Sequence, residues 1–157
     1  MNVTLYIQKD QSEVWERARK LAKDKSSLSA MVTEALKEYV EREETRRKAQ
    51  QELEGKMREY ELEICRAMRG PSYTIRFRGV LLAREPGIYR RDIYLTDNGN
   101  LVLYWNMPNY TDYRKFNSFE DLVEWFQEKQ HEHEDAGIEE LLAEAANALG
   151  EELVIDL

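Results

Sequence analysis

The first eight residues alternate between polar and apolar side chains. The apolar residues are Val3, Leu5 and Ile7. The polar residues between them include Asn2, Thr4 and Tyr6. This period of two is typical of a short strand with one buried face. Because a single strand leaves its backbone groups unpaired, the pattern predicts an antiparallel ribbon formed with a second copy of the chain, and therefore an obligate homodimer.

Two helices are predicted after this strand. Apolar residues recur at spacings of three and four over residues 14–22, and Ser12 stands where a helix N-cap is expected. The same spacing recurs over residues 28–40, directly after Ser27. Residues 41–51 are almost all charged or polar and contain no proline, so we expect the second helix to continue through them.

A helical linker or short coiled-coil segment is predicted over residues 45–70. The apolar residues that define it are Leu53, Met57, Tyr60, Ile64 and Met68. Their spacings of four, three, four and four form one stripe along a helix. Gly70 and Pro71 would end this helix.

The rest of the chain predicts a small antiparallel sheet with packed helices. Strands are expected over residues 73–83, 88–96, 101–105 and 113–116. The pair Asn98-Gly99 predicts a tight turn, Ser118 with Asp121 predicts a helix start, and Gly137 precedes a second helix. The final residues, ELVIDL, predict a last strand.

These elements predict an α+β fold in three parts. The parts are an N-terminal domain of one ribbon strand and two helices over residues 1–44, the helical linker over residues 45–70, and a C-terminal sensor or interaction domain over residues 71–157.

Charge is distributed unevenly along the chain. The net charge is −8 at pH 7, yet residues 117–157 alone carry −12 and the first 116 residues carry +4. Because short-range attraction depends on local charge, this acidity does not exclude phosphate binding by the N-terminal part. A single cysteine, Cys65, excludes an internal disulfide. No apolar run is long enough to cross a membrane, so we expect a cytoplasmic protein without a membrane partner.

Two groups of residues are candidates for DNA contact. Base contacts are expected from Asn2, Thr4 and Tyr6, because short polar side chains on a ribbon reach base edges in the major groove. An ordinary solvent-exposed strand face explains the same residues. Phosphate contacts are expected from Ser27, Leu28 and Ser29, because a helix N-terminus attracts anions. Simple N-capping explains Ser27 equally well.

Other candidate chemistry is weaker. No catalytic residue, cofactor or metal site is predicted, and the run around His131 and His133 is interpreted as a solvated acidic turn. Arginines alternate with aromatic residues on the predicted strands, an arrangement that can bind an anionic ligand or single-stranded nucleic acid. They are Arg76, Arg78, Arg84, Arg90 and Arg91, with Tyr73, Phe77, Tyr89 and Tyr94. We favour the interpretation that these arginines form a solvated face neutralised by the acidic C-terminal segment.

The stretches VTLYI, WERARKLA and SSLSAMVTEALKEYV resemble the ribbon-helix-helix family of DNA-binding proteins over residues 1 to about 42. The resemblance implies a dimeric ribbon in the major groove, base contacts from Asn2, Thr4 and Tyr6, and a phosphate at residues 27–29. The chain as a whole is similar to the EXLDI proteins in RFRGVLL, DIYLTDNGNLVLYW and EELVIDL, although Val154 stands where that motif has Asp. This second resemblance implies a regulator.

The sequence therefore predicts a dimeric, sequence-specific transcriptional regulator, acting as a repressor on double-stranded DNA. Its C-terminal domain would bind a small ligand or a protein partner, or form higher oligomers. One alternative is an antitoxin whose acidic C-terminal domain neutralises a partner protein. Another is a plasmid-partition or architectural DNA binder.

Overall fold

The computed structural model describes residues 12–25, 28–66, 70–130 and 137–153. The helices are α1 (Ser12–Lys25), α2 (Leu28–Lys56), α3 (Phe119–Gln130) and α4 (Ile138–Leu149). The strands are β1 (Arg58–Ile64), β2 (Tyr73–Arg84), β3 (Arg90–Thr96), β4 (Leu101–Met107) and β5 (Tyr110–Phe116). The chain divides into two compact units, Met1–Glu44 and Thr45–Leu157.

In the first unit the structure describes α1 and the first part of α2. Both helices carry large apolar side chains that are more than half exposed or nearly so. They are Val14, Leu21, Leu36, Tyr39 and Val40. None of the side chains described in this unit is buried. The helices expected from the sequence are therefore present, and the described apolar side chains of both are left at the surface.

The predicted ribbon-helix-helix fold of the N-terminal domain is wrong. The described residues of the first unit are helical, and every described strand belongs to the second unit. The segment around residues 2–8, for which a strand was expected, lies outside the described residues. Alternation over so few residues specifies a strand only when another strand pairs with it, and the described strands pair with one another.

The predicted helical linker is wrong beyond Lys56, where α2 ends and β1 follows. Tyr60 and Ile64 lie four residues apart, a spacing that suits a helix and also a strand. Leu62 distinguishes the two, because it shares their face only in a strand. These three residues are opposite Phe77, Ile75 and Tyr73 of β2.

The strands form one antiparallel sheet in the order β1-β2-β3-β4-β5. The sheet curls into a half-barrel that brings its two edge strands, β1 and β5, together. At this point Cys65, directly after β1, exchanges two backbone hydrogen bonds with Thr111 of β5, at 3.0 and 2.9 Å. The concave face of the sheet is filled by its own side chains. Its buried residues are Leu62, Ile64, Tyr94, Val102 and Tyr104.

The convex face of the half-barrel packs against α3, α4 and Leu53 of α2 to form the main core. The predicted strands of this region are confirmed, with β5 longer than expected. The predicted start of α3 is also confirmed, since the Asp121 backbone N–H donates a hydrogen bond of 3.1 Å to Ser118 Oγ. The expected last strand is not found at residues 152–153, and its remainder, residues 154–157, lies outside the described residues.

Candidate functional site

A cavity of about 460 Å³ lies at one end of the half-barrel, within the second unit. Its walls are the β2–β3 hairpin, the end of β4 and the start of α4. The charged side chains that line it are Arg84, Glu85, Arg90, Arg91, Glu140 and Glu144. The apolar and aromatic ones are Pro86, Tyr89, Trp105, Met107 and Leu141. A concave site with apolar walls and a few convergent charges is the usual form of a small-molecule pocket.

A β-bulge places Arg84 in this site. The register between β2 and β3 shifts between Leu81 and Ala83. After the shift Arg84 lies opposite Asp92, on the concave face. Regular alternation from Leu81 would have put Arg84 on the convex face with the helices. The bulge therefore determines that a basic side chain meets Asp92.

Asp92 is the centre of a buried polar network. Its side chain is only 1% exposed. Arg84 donates hydrogen bonds from Nε to Oδ1 and from Nη2 to Oδ2, both at 2.9 Å, and Tyr94 donates its hydroxyl to Oδ2 at 3.0 Å. The hydrogen bond to Asp92 raises the pKa of Arg84. Burial, and then the Asp92 charge, raise the pKa of Tyr94. Both groups therefore keep their protons at neutral pH.

Arg90 adds a second positive charge beside the same carboxylate. Its Nε lies 3.8 Å from Asp92 Oδ1, too far for a hydrogen bond. This Nε is buried and makes no hydrogen bond within the described part of the chain. The Arg90 side chain as a whole is one-third exposed. Two arginines thus share one aspartate, so the network retains positive charge on the cavity side.

The third arginine of the cavity, Arg91, forms an ion pair with Glu85. Its backbone N–H and its Nε each donate to Glu85 Oε2 at 2.8 Å, and its Nη2 donates to Oε1. Only about a tenth of either side chain is exposed. This ion pair lies at the end of the β2–β3 hairpin. The charges of Arg91 and Glu85 neutralise each other, so neither is expected to bind a ligand.

Helix α4 supplies acidic groups to the same cavity. Glu140 and Glu144 are four residues apart and therefore lie on one face of the helix. Glu144 Oε2 accepts the backbone N–H of Arg84 at 3.4 Å. Within the described ranges, neither glutamate forms an ion pair with a lysine or arginine side chain. The cavity therefore has a basic wall and an acidic wall.

Most of the residues predicted to contact DNA are outside the described structure. Asn2, Thr4, Tyr6 and Ser27 belong to segments that are not described, as do His131 and His133. Leu28 and Ser29 lie in the first turn of α2. Ser29 is exposed, and its carbonyl accepts a hydrogen bond from Thr33 Oγ1 at 2.8 Å. The predicted roles of all these residues remain predictions.

The arginines of the predicted arginine-rich face lie in different parts of the structure. Arg84, Arg90 and Arg91 converge on the cavity described above, whereas Arg76 forms an exposed ion pair with Glu61 of β1 at 2.8 Å. Among the described residues, the acidic C-terminal segment contributes Glu140 and Glu144 to the same cavity but forms no ion pair with these arginines. The partners are carboxylates of the sheet and its hairpin, because cross-strand neighbours are closer than residues of another layer. Sequence reasoning assigned no role to Asp92 or Glu140, since neither stands at a spacing that marks a functional carboxylate.

Among the residues that the structure describes, no three metal-ligating side chains come together. The helices of this described part are too short or too polar to cross a bilayer. Comparisons with known protein families, with curated proteins and with solved structures gave no match to this chain.

Proposed function

We propose that the protein is a DNA-binding transcriptional regulator that acts in the cytoplasm as a homodimer formed through its N-terminal unit. The observation that carries this proposal is the exposure of apolar side chains on both α1 and α2. Such a concentration on two adjacent helices is typical of a surface that another protein chain covers. The proposal does not require a ribbon.

A second copy of the chain is the partner that suits these helices. Burying a valine, leucine or aromatic side chain contributes roughly 1.5–3 kcal/mol, and the single chain leaves five such residues of this unit uncovered. A unit of about 44 residues is marginal even with a complete core. Twofold pairing would cover both sets of apolar residues at once, and it would present two copies of the DNA-contacting residues to a palindromic site.

The charge around the start of α2 supports DNA as the ligand. Residues 17–33 contain five basic residues and one acidic residue. The first turn of α2 contains no acidic side chain, so the positive end of the helix dipole favours a phosphate there. Ser27, Leu28 and Ser29 are the proposed phosphate contacts. Asn2, Thr4 and Tyr6 are the proposed base contacts.

We expect Ser29→Asp to weaken DNA binding by at least tenfold, or about 1.4 kcal/mol. The carboxylate would repel a phosphate at the start of α2, while acidic residues are well tolerated in the first turn of a helix. The DNA is obtained by selection from a random duplex library with the full-length protein, and affinity is measured by fluorescence anisotropy at two salt concentrations. Gln50→Glu, an exposed position later in α2, adds the same charge as a control.

If no duplex is enriched over the random pool, the DNA-binding proposal is wrong. If a duplex is enriched and Ser29→Asp binds it as tightly as the parent does, the start of α2 does not hold a phosphate. In that case Thr4→Ala and Tyr6→Ala, which should each cost about 1–3 kcal/mol in specific binding, test the base contacts separately.

The dimer has its own test. We expect Leu36→Glu to shift the protein from dimer to monomer in sedimentation velocity, because a charge at the covered surface loses its hydration when the two copies associate. Lys37→Glu, at an adjacent exposed position, is the control and should leave the dimer unchanged. A parent protein that sediments as a monomer at 50 µM would contradict the proposal.

A second function is favoured by a different observation. The outer surfaces of α3 and α4 carry exposed acidic residues, among them Glu120, Asp121, Glu124, Glu128 and Glu139. A surface with one sign of charge attracts a partner with the opposite charge, as expected for an antitoxin that neutralises a basic protein. If the product of a neighbouring gene is small and basic and co-purifies with this chain, the antitoxin becomes the better proposal.

A further inference from the structure

We infer that the cavity at the end of the half-barrel binds a small zwitterion, namely a free α-amino acid with an apolar or aromatic side chain. This inference goes beyond DNA binding, because it concerns the second unit alone. It rests on three sets of side chains that line one cavity of about 460 Å³. A cavity of this size lies within the usual range for small-molecule sites.

The basic wall provides a place for a carboxylate. Arg84 directs two hydrogen bonds at Asp92, whereas Arg90 lies at 3.8 Å from it without a hydrogen bond from Nε. Arg90 is therefore the arginine whose charge is least satisfied. Because the Arg90 side chain is one-third exposed and lines the cavity, a planar anion in the cavity could pair with its guanidinium.

The acidic wall provides a place for an ammonium group. Glu140 and Glu144 line the cavity from α4, and no lysine or arginine side chain in the described segments forms an ion pair with them. Within the described part of the chain, the one hydrogen bond to either carboxylate is long, from the Arg84 backbone N–H to Glu144 Oε2 at 3.4 Å. A primary ammonium group has three donors and can contact both carboxylates together.

The apolar lining selects the side chain of the ligand. Trp105, Met107 and Leu141 contribute apolar surface, and Trp105 is held in an edge-to-face contact with Trp125 at 5.8 Å. A rigid aromatic and a flexible thioether together suit branched, sulfur-containing or aromatic side chains.

The mixture of charges favours a ligand that carries both charges over one that carries a single charge. An inorganic anion beside Arg90 would also meet the charges of Glu140 and Glu144, and a metal ion or a simple amine would meet the charge of Arg90. A ligand with both charges satisfies both walls. The charges of Arg84 and Arg91 are already matched by Asp92 and Glu85, so they do not change this balance.

The inference is tested by isothermal titration calorimetry of the full-length protein with L-leucine, L-methionine, L-phenylalanine and L-tryptophan. The tightest of these is then compared with its amine, which lacks the carboxylate, and with its acid, which lacks the amino group. We expect the amino acid to bind at least tenfold more tightly than either analogue. If none of the four binds, or if one analogue binds as tightly as the amino acid, the inference is wrong.

Variants of the charged residues test which wall binds the carboxylate and which binds the ammonium group. Arg90→Gln should weaken binding of the amino acid and the acid at least tenfold and leave the amine unaffected. The double variant Glu140→Gln and Glu144→Gln should weaken the amino acid and the amine and spare the acid. Arg78→Gln and Glu139→Gln, exposed positions outside this cavity, are matched controls. Thermal melts of every variant exclude unfolding, and equal weakening by the controls would overturn the assignment.

Discussion

Replacing Gly79 with alanine is expected to destabilise the second unit by about 3 kcal/mol. Gly79 is buried in β2 opposite Thr96, where the sheet curls. A Cβ atom at this position would lie 2.3 Å from the carbonyl oxygen of Leu95 and 3.2 Å from Cδ2 of Phe77. The Phe77 ring can move slightly, but the Leu95 oxygen belongs to the backbone of β3. Relief therefore requires the β2–β3 pairing itself to open.

The measurement is urea denaturation followed by the fluorescence of the tryptophans, and Gly55→Ala is the matched control. Gly55 lies in α2 with no atom within 4 Å of an added Cβ, so the same substitution should stabilise the helix by up to about 1 kcal/mol. The same substitution is therefore expected to lower the free energy of unfolding at Gly79 and to raise it at Gly55. A Gly79→Ala protein as stable as the parent would show that the sheet does not approach so closely at this point.

Replacing Asp92 with asparagine is expected to cost about 2 kcal/mol. The substitution keeps the shape but removes the charge that Arg84 and Arg90 share. One carboxylate oxygen becomes an amide N–H₂, which would face a guanidinium or the Tyr94 hydroxyl as a second donor. The cost stays below that of a fully buried pair because Arg84 is about 40% exposed and can turn towards water.

A double-mutant cycle tests this expectation, with the free energy of unfolding of each protein measured by urea denaturation. Asp92→Asn, Arg84→Gln and the double variant are compared with Asp97→Asn, an exposed carboxylate in the turn after β3. The control should change stability by less than about 0.5 kcal/mol. The double variant should cost less than the two single changes together, because each single change removes the same interaction. Additive costs would mean that Asp92 acts through other neighbours.

The elements that could be predicted from the sequence are those with local causes. The turn at Asn98-Gly99 forms because Gly99 adopts a positive φ of 78°. The start of α3 forms because Ser118 accepts a backbone N–H of the first turn. The strands β2 to β4 contain enough β-branched and aromatic residues to be recognised without their partners.

The candidate site was only partly predictable. The sequence showed the arginines and aromatic residues of the hairpin region, but it gave no reason to associate them with Asp92 or with Glu140. Arg84 and Asp92 meet because a bulge shifts the strand register, and Glu140 joins the cavity because α4 packs on β2. Neither event leaves a motif in the sequence.

By itself, the sequence determined the strongly periodic elements, the tight turn, the helix start and the acidic C-terminal segment, because each depends on residues only a few positions apart. The tertiary structure alone decided between helix and strand at Tyr60 and Ile64, whose spacing suits both. Pairing with β2 satisfies the backbone of β1 and buries Leu62, which a helix would have left on its other side. The half-barrel, the bulge at Arg84 and the charged cavity follow from such long-range pairing, which no local pattern specifies.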